Sequence, residues 1–364
     1  MTHCQRRVRL AAALAAGGLD ALVVSDLVNV RYLSGFTGSN AALLVFAGDT
    51  PAVLATDSRY GTQAARQAPD LEVMIERACA PRLVGRALVD GAARIGFESH
   101  VVTVDGFDTL SRRLGEYPDA SLVRAGSLVE ALREVKDAGE VALLRMACEA
   151  ADAALAALIA GGGLRPHRTE REVARELESL MVDHGADGRA FETIVATGAN
   201  SAVPHHRPTG AELCAGDFVK IDFGALVGGY HSDMTRTFVL GAPAEWQREV
   251  YALVADAQRA GRAALVAGAE LREVDAAARE VIVEAGHGDH FGHGLGHGVG
   301  LQIHEAPGIG SAATGMLRAG SVVTVEPGVY LPGRGGVRIE DTVLVTERDT
   351  DVLTRFPKDF TAVS

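Results

Sequence analysis

Residues 217–239, DFVKIDFGALVGGYHSDMTRTFV, constrain this chain more than any other stretch. Val219, Ile221 and Phe223 alternate with Lys220, Asp222 and Gly224. That is the period of two of a strand with one apolar and one polar face. Gly228-Gly229 is a turn signal, and the run from His231 to Val239 is rich in the Thr, Phe and Val that strands favour. With the reversal centred between Val227 and Gly228, Asp222 is expected directly opposite Asp233, the two Cβ atoms about 5 Å apart. Facing carboxylates repel unless a positive charge lies between them, and a metal ion supplies one.

A second hairpin, SVVTVEPGVYLPGRGGVRIEDTVLV, covers residues 321–345. Centring its reversal on Gly333 puts Glu326 opposite Glu340. Thr324 and Glu326 then share one face, and Arg338, Glu340 and Thr342 share the facing one. Two helical patterns precede each hairpin: residues 132–160 and 169–184, then 245–267 and 271–285. Thr169 and Glu172 fit a capping box at the start of the second helix. This recurrence predicts a duplicated half-domain with pseudo-twofold symmetry. Each acid alone has an ordinary reading. Asp222 or Asp233 suits a turn or strand edge, Glu326 before Pro327 a strand end, and Glu340 beside Arg338 a surface pair of little consequence. Both hairpins, however, place a pair in register among β-branched residues, where a lone charge is costly.

Between the hairpins lies HFGHGLGHGVGLQIHEAP, with His290, His293, His297 and His304 among closely spaced glycines. His297 and His304 differ by an odd number, so a straight strand would point them to opposite faces. They can line one site only if the chain bulges or bends, which glycine permits. His205 and His206, in PHHRP, sit on the loop before the first hairpin. Four carboxylates and an imidazole suit two divalent ions of the Mn, Co, Fe or Zn kind. Two such ions about 3.5–4 Å apart bridge and deprotonate a water and polarise a carbonyl, which is hydrolytic chemistry.

A chain of 364 residues predicts two domains. Residues 5–130 alternate helical and strand patterns, as in an α/β unit: a helix over 5–16, strands over 21–25, 42–46 and 52–55, and a helix opening at 56–60 with Thr56 or Asp57 as its cap. This unit holds no GxGxxG and no P-loop, and its expected role is a scaffold or dimerisation module. The boundary is expected near Leu132, giving domains 1–131 and 132–364. A net charge of −12 argues against nucleic acid or an anionic membrane as partner. Four scattered cysteines without a CxxC read as free thiols of a reducing cytosol. Arg6, Arg7 and Arg9 ahead of LAAALAAGGL imitate a secretion signal. That run is mostly Ala, is broken by Gly17, Gly18 and Asp20, and leads into a strand, so a cytoplasmic protein is expected. No segment is apolar enough over about 20 residues to span a bilayer.

At DFGALVGGYHSDMTRT, GHGLGHGVGLQIHE, TVEPGVY and GVRIED, with PHHRPT and ETIVATG, the chain resembles the proline-specific metallopeptidases of the pita-bread fold: prolidase (Xaa-Pro dipeptidase) and aminopeptidase P. RYLSGFTGSN and TDSRY resemble that family's N-terminal domain. The resemblance implies an α/β (α+β) chain, with an α/β creatinase-like domain ahead of a pita-bread catalytic domain. It implies hydrolysis of the Xaa-Pro bond in dipeptides or short peptides through a metal-bridging hydroxide. The cofactors would be two divalent ions, manganese foremost, with Co²⁺, Zn²⁺ or Fe²⁺ as alternatives. Asp222, Asp233, His297, Glu326 and Glu340 would be the ligands, Asp233 and Glu340 bridging both ions. Glu326 would also act as general base. His205 and His304 would bind the substrate carbonyl and help proton transfer, and His293 and Arg338 would line the pocket and bind substrate. The family is usually dimeric, so a homodimer is expected, one N-terminal domain helping close the other subunit's site.

One departure stands out. Some prolidases follow the HE-x-P block with an arginine that holds the dipeptide's carboxylate; here Gly308 follows HEAP. Dipeptidase and aminopeptidase activity both stay open. The alternatives on the same fold are a non-catalytic peptide-binding module and a metal-free creatinase-like amidinohydrolase. The intact ligand set argues against both. Methionine aminopeptidase shares the metal site but usually lacks an N-terminal domain of this kind.

Overall fold

Six strands form the sheet of the first unit, Met1–Arg133, in a computed structural model that describes residues 1–363. They are β1 (Ala21–Val24), β2 (Ala41–Phe46), β3 (Val53–Thr56), β4 (Glu72–Ile75), β5 (Arg94–Glu98) and β6 (Ser121–Ala125), in spatial order β4-β3-β2-β1-β5-β6. β1, β2 and β3 are buried along their whole length, as strands covered on both faces are. Helices α1 (His3–Ala16), α2 (Leu27–Ser34), α3 (Gly61–Gln67), α4 (Cys79–Val89), α5 (Val104–Ser111) and α6 (Leu128–Arg133) accompany them. The basic N-terminal residues belong to the fold: Arg6 and Arg7 donate to the Tyr32 and Leu33 carbonyls at the end of α2, where the helix dipole favours cations. α3 begins at Gly61, later than the sequence predicts. Asp57 caps nothing there, because its carboxylate accepts from Arg59 N at 3.0 Å and Asn40 Nδ2 at 2.8 Å.

The second unit, from Glu134 onward, begins with α7 (Ala138–Ala160) and α8 (Glu170–Asp183). The continuous helix expected from residue 132 is broken. Val135 bridges to Ser321, and Asp137 then caps α7 in a capping box with Glu140. Strands β7 (Gly188–Arg189), β8 (Ile194–Thr197), β9 (Phe218–Phe223), β10 (Ala225–Val227), β11 (Tyr230–His231) and β12 (Met234–Leu240) follow. The second half has α9 (Glu245–Ala263), α10 (Leu271–Glu284), β13 (Gly296–Gly298), β14 (Glu305–Ile309), β15 (Val322–Val325), β16 (Gly328–Leu331), β17 (Gly335–Arg338), β18 (Asp341–Val345), β19 (Thr350–Val352) and β20 (Ala362–Val363). Two principal sheets result, β20-β12-β9-β8 and β14-β13-β15-β18-β19. One apolar cluster packs α7 and α8 on the first sheet, and a second packs α9 and α10 around the second. Each helix–helix–hairpin half thus has its own core, as a duplicated half-domain requires.

The first hairpin differs from its expected register. Asp222 pairs with Thr235, not Asp233, and Val227 pairs with Tyr230, so the reversal lies between Gly228 and Gly229. Both glycines have positive φ, +56° and +84°. A two-residue turn with two positive φ angles is type I′, and it centres on the Gly-Gly pair. The slip is two residues, so the acids stay on one face as diagonal neighbours. In the second hairpin Val325 pairs with Asp341 and Gly328 with Arg338. Continuing that register puts Glu326 opposite Glu340. All four cysteines are free, Cys79 and Cys148 buried and Cys4 and Cys214 exposed. No helix among the described residues is long and apolar enough to cross a membrane.

Candidate active site

The two hairpins bring their acids to one cavity of about 520 Å³, whose walls include Asp222, Asp233, Glu326 and Glu340. Asp222 lies on β9, Asp233 just before β12, Glu326 just after β15 and Glu340 just before β18. His297, the middle residue of β13, completes the group. Its Nε2 is 3.5 Å from Asp233 Oδ2 and 3.4 Å from Glu326 Oε1. Its Nδ1 lies 3.1 Å from the Gly298 carbonyl and so donates there, leaving the Nε2 lone pair for a metal. Ligand atoms of Asp233, His297 and Glu340 all lie within 4.8 Å of one another.

Backbone crowding explains the glycines around His297. A Cβ on Gly296 would lie 2.0 Å from the Thr324 carbonyl, and one on Gly298 2.2 Å from the Ala306 carbonyl. The pairing of β13 with β14 shifts register between His297 and Gly298. The chain then doubles back, so that His304 comes beside His297 with ring centroids 4.4 Å apart. This is the bend that their odd spacing demanded. His205, His293 and His304 all line the cavity. His290 does not; its Nδ1 is 3.1 Å from that of His287.

Arg338 is 1% exposed and is not among the cavity-lining residues. Its guanidinium lies behind the acids. It donates to Asp222 Oδ2, to Thr235 Oγ1 at 3.0 Å, to the Pro204 carbonyl at 3.2 Å and to the Tyr330 hydroxyl at 2.9 Å. The Tyr330 hydroxyl in turn lies 2.9 Å from His293 Nε2, and His293 Nδ1 lies 2.8 Å from the Gly294 carbonyl. Nδ1 must therefore donate, and in the neutral ring Nε2 accepts from the Tyr330 hydroxyl. Burial above all, then the charge of Arg338, pushes the His293 pKa down to about 4.

Several residues that hold this site escaped the sequence reading. Lys220, fully buried on β9, donates to the Val203 carbonyl at 2.7 Å and the Pro204 carbonyl at 3.2 Å, just ahead of His205. Glu170, fully buried at the start of α8, accepts from Thr197 N, Asn200 Nδ2 and Thr209 N, and lies 2.8 Å from His206 Nε2. His206 is thus tied to the scaffold, while His205 is exposed. Tyr330 alone had a readable signal. The register that pairs Gly328 with Arg338 puts Tyr330 two residues along the same face.

The donor set fits divalent metal. Among the described residues, Asp222 Oδ1 and Glu340 Oε1 are buried without a hydrogen-bond partner, a costly arrangement for carboxylate oxygens. Three other oxygens are engaged: Asp222 Oδ2 accepts from Arg338, Glu340 Oε2 from Thr235 Oγ1 at 2.6 Å, and Glu326 Oε1 from Thr324 Oγ1 at 3.1 Å. Asp233, Glu326 and Glu340 all have pKa values raised by burial first and then by neighbouring carboxylates. A bound cation reverses that balance.

Residues 142–347 match metallopeptidase family M24, and residues 6–135 match the creatinase/prolidase N-terminal domain. The chain is 36% identical over 360 residues to an Xaa-Pro dipeptidase of Pyrococcus furiosus, covering 98% of this chain and 99% of the relative. Among solved structures it is similar to an Xaa-Pro dipeptidase from Bacillus anthracis, with a TM-score of 0.93 and 37% identity over all of both chains. It is also similar to an X-Pro aminopeptidase from Thermotoga maritima, with a TM-score of 0.86 and 35% identity over 95% of this chain and 98% of that one. A creatinase-type first unit, a duplicated second unit and a buried acid–histidine cluster thus converge with these matches: the chain belongs to metallopeptidase family M24.

Proposed function

We propose that this metallopeptidase hydrolyses the Xaa-Pro bond of dipeptides and short peptides. Asp222, Asp233, His297, Glu326 and Glu340 would hold two divalent ions, manganese foremost. The observation that carries the reading is the pair of unpartnered buried oxygens, Asp222 Oδ1 and Glu340 Oε1, in the cavity that also receives His297. The Xaa-Pro dipeptidase and X-Pro aminopeptidase relatives support the substrate class. When bound, the ions polarise the scissile carbonyl and lower the pKa of an attacking water.

The protein's own groups supply the rest. Glu326 takes the proton of the attacking water. It lines the cavity with the other four candidate ligands, within reach of a water held there. His205 and His304, both exposed at the cavity, orient the carbonyl and protonate the departing secondary amine. His293, kept neutral chiefly by its burial, presents an uncharged ring to the substrate. Arg338 acts through Asp222 and Tyr330, as a positioning residue rather than a substrate contact. The same reading takes the enzyme as a cytoplasmic homodimer whose domains divide near residue 132; sedimentation equilibrium measures the dimer.

Hydrolysis of Ala-Pro beside Ala-Ala, with each metal restored to chelator-treated protein, tests the proposal. Cleavage of Ala-Pro restored by Mn²⁺, with Ala-Ala poorly cleaved, is the expected result. Equal cleavage of the two dipeptides removes the proline requirement.

A further inference from the structure

Beside the active site lies a second depression of about 520 Å³, which shares Glu192, Thr193, Arg207 and Pro208 with the active-site cavity. Four arginines line it, Arg171, Arg175, Arg189 and Arg207, against two glutamates, Glu178 and Glu192. Arg189 pairs with Glu178 at 2.9 Å and Arg207 with Glu192 at 3.3 Å. Arg171 and Arg175, one turn apart on α8, pair with no carboxylate among the described residues. Arg171 Nε donates to the Pro208 carbonyl and Arg175 Nε to the Arg171 carbonyl, so the terminal nitrogens of both stay available. A local excess of positive charge runs against a chain of net charge −12.

We propose that this groove is a subsite for a carboxylate carried on the C-terminal side of the scissile bond, so that the enzyme takes Xaa-Pro peptides longer than a dipeptide. The inference rests on the proposed Xaa-Pro peptidase activity. A peptide in the active-site cavity meets four carboxylates near the reacting bond; among the described residues Arg207 is the one arginine or lysine on that wall, and it is paired there with Glu192. An anion is therefore drawn past the balanced Arg207–Glu192 pair toward Arg171 and Arg175. An extended chain advances about 3.3–3.6 Å per residue, so the second or third residue after the bond passes that pair into the groove. Arginine forks match carboxylate geometry, two nitrogens to two oxygens.

The larger cavity on the other side, about 900 Å³ beyond His293, offers no comparable pair. Its Arg279 is engaged by Asp275 and by the Phe291 and His293 carbonyls, and its Arg318 faces Glu134 at 3.9 Å. The carboxylate has two sources, the peptide's own C-terminus or an Asp or Glu side chain, and the groove's chemistry is the same for both.

The test compares kcat/KM at low salt for Ala-Pro-Ala, its C-terminal amide, and the amide of Ala-Pro-Asp. Exposed ion pairs are individually weak, so the expected preference for a carboxylate over the plain amide is about fivefold, expressed in KM. It should shrink in Arg175→Gln, vanish in Arg171→Gln/Arg175→Gln, persist in Arg175→Lys, and disappear for the parent enzyme in about 0.5 M salt. A preference for Ala-Pro-Ala alone identifies the chain terminus as the anion; one shared by the Asp amide adds the side chain. Equal rates for acid and amides, or a preference that survives the double substitution, would overturn the subsite. If no Xaa-Pro peptide is cleaved, it is the proposed activity that fails; charge-blind cleavage of all three sinks the subsite alone.

Discussion

Glu326 and Glu340 face each other, and the proposed function gives them different work. Glu340 has one oxygen bound by Thr235 and, among the described residues, one buried without a partner, so in that proposal it would contribute charge to a cation and little else. Glu340→Gln should therefore lose at least one metal equivalent. Glu326→Gln retains an oxygen donor but cannot take a proton, so it should keep metal better than kcat, which falls on the order of 10²-fold or more. Elemental analysis and kcat for both variants check this; a metal-replete, fully active Glu326→Gln would remove the general base. Lys220 gives a second prediction. Its amine clamps the two carbonyls ahead of His205, so Lys220→Met should lower kcat about tenfold in the parent. In a His205→Ala background it should add little, because coupled residues are not additive. Equal losses in both backgrounds would show that Lys220 does not act through His205. The acids and histidines were legible because ionisable side chains recur at strand period beside glycine turns. Lys220 and Glu170 were not, because their partners are backbone groups of a distant loop, which leave no pattern in the residues.

Elements explain where the sequence reading succeeded and slipped. The second hairpin's register follows from a turn centred on Gly333, and it delivers Glu326 to Glu340. The first turns one position later than its alternation predicts, because two successive positive-φ glycines must both occupy the turn. The break before α7 was also written in the chain, as Asp137 and Glu140, a capping box masked by the apolar stripe on either side. Close approach makes another element-level prediction. A Cβ on Gly224, between β9 and β10, would lie 1.8 Å from the Ser232 carbonyl. Gly224→Ala should cost on the order of 3 kcal/mol in urea unfolding, since backbone must move. Gly188→Ala, on β7 of the adjoining small sheet and open to space, should stay within about 0.5 kcal/mol. Similar costs for the two would contradict the packing account.

At the scale of the whole molecule, stability couples to protons and to metal. His293 has a pKa of about 4 in the folded protein, whereas an unfolded histidine titrates near 6.5. The unfolded state therefore binds more protons between those values, and this contribution is intact above about pH 6.5 and lost as pH falls toward 4. Urea midpoints should drop across that window, less steeply in His293→Gln. Metal acts in the opposite direction: ions bound only to the folded state raise Tm by mass action. The most direct test of the account is to titrate Mn²⁺ into rigorously metal-free protein, following bound metal, Tm and Ala-Pro hydrolysis together. Two ions bound per chain, a rising Tm, and activity that appears only with the metal are the predicted result. Full Ala-Pro hydrolysis by the metal-free protein would contradict it.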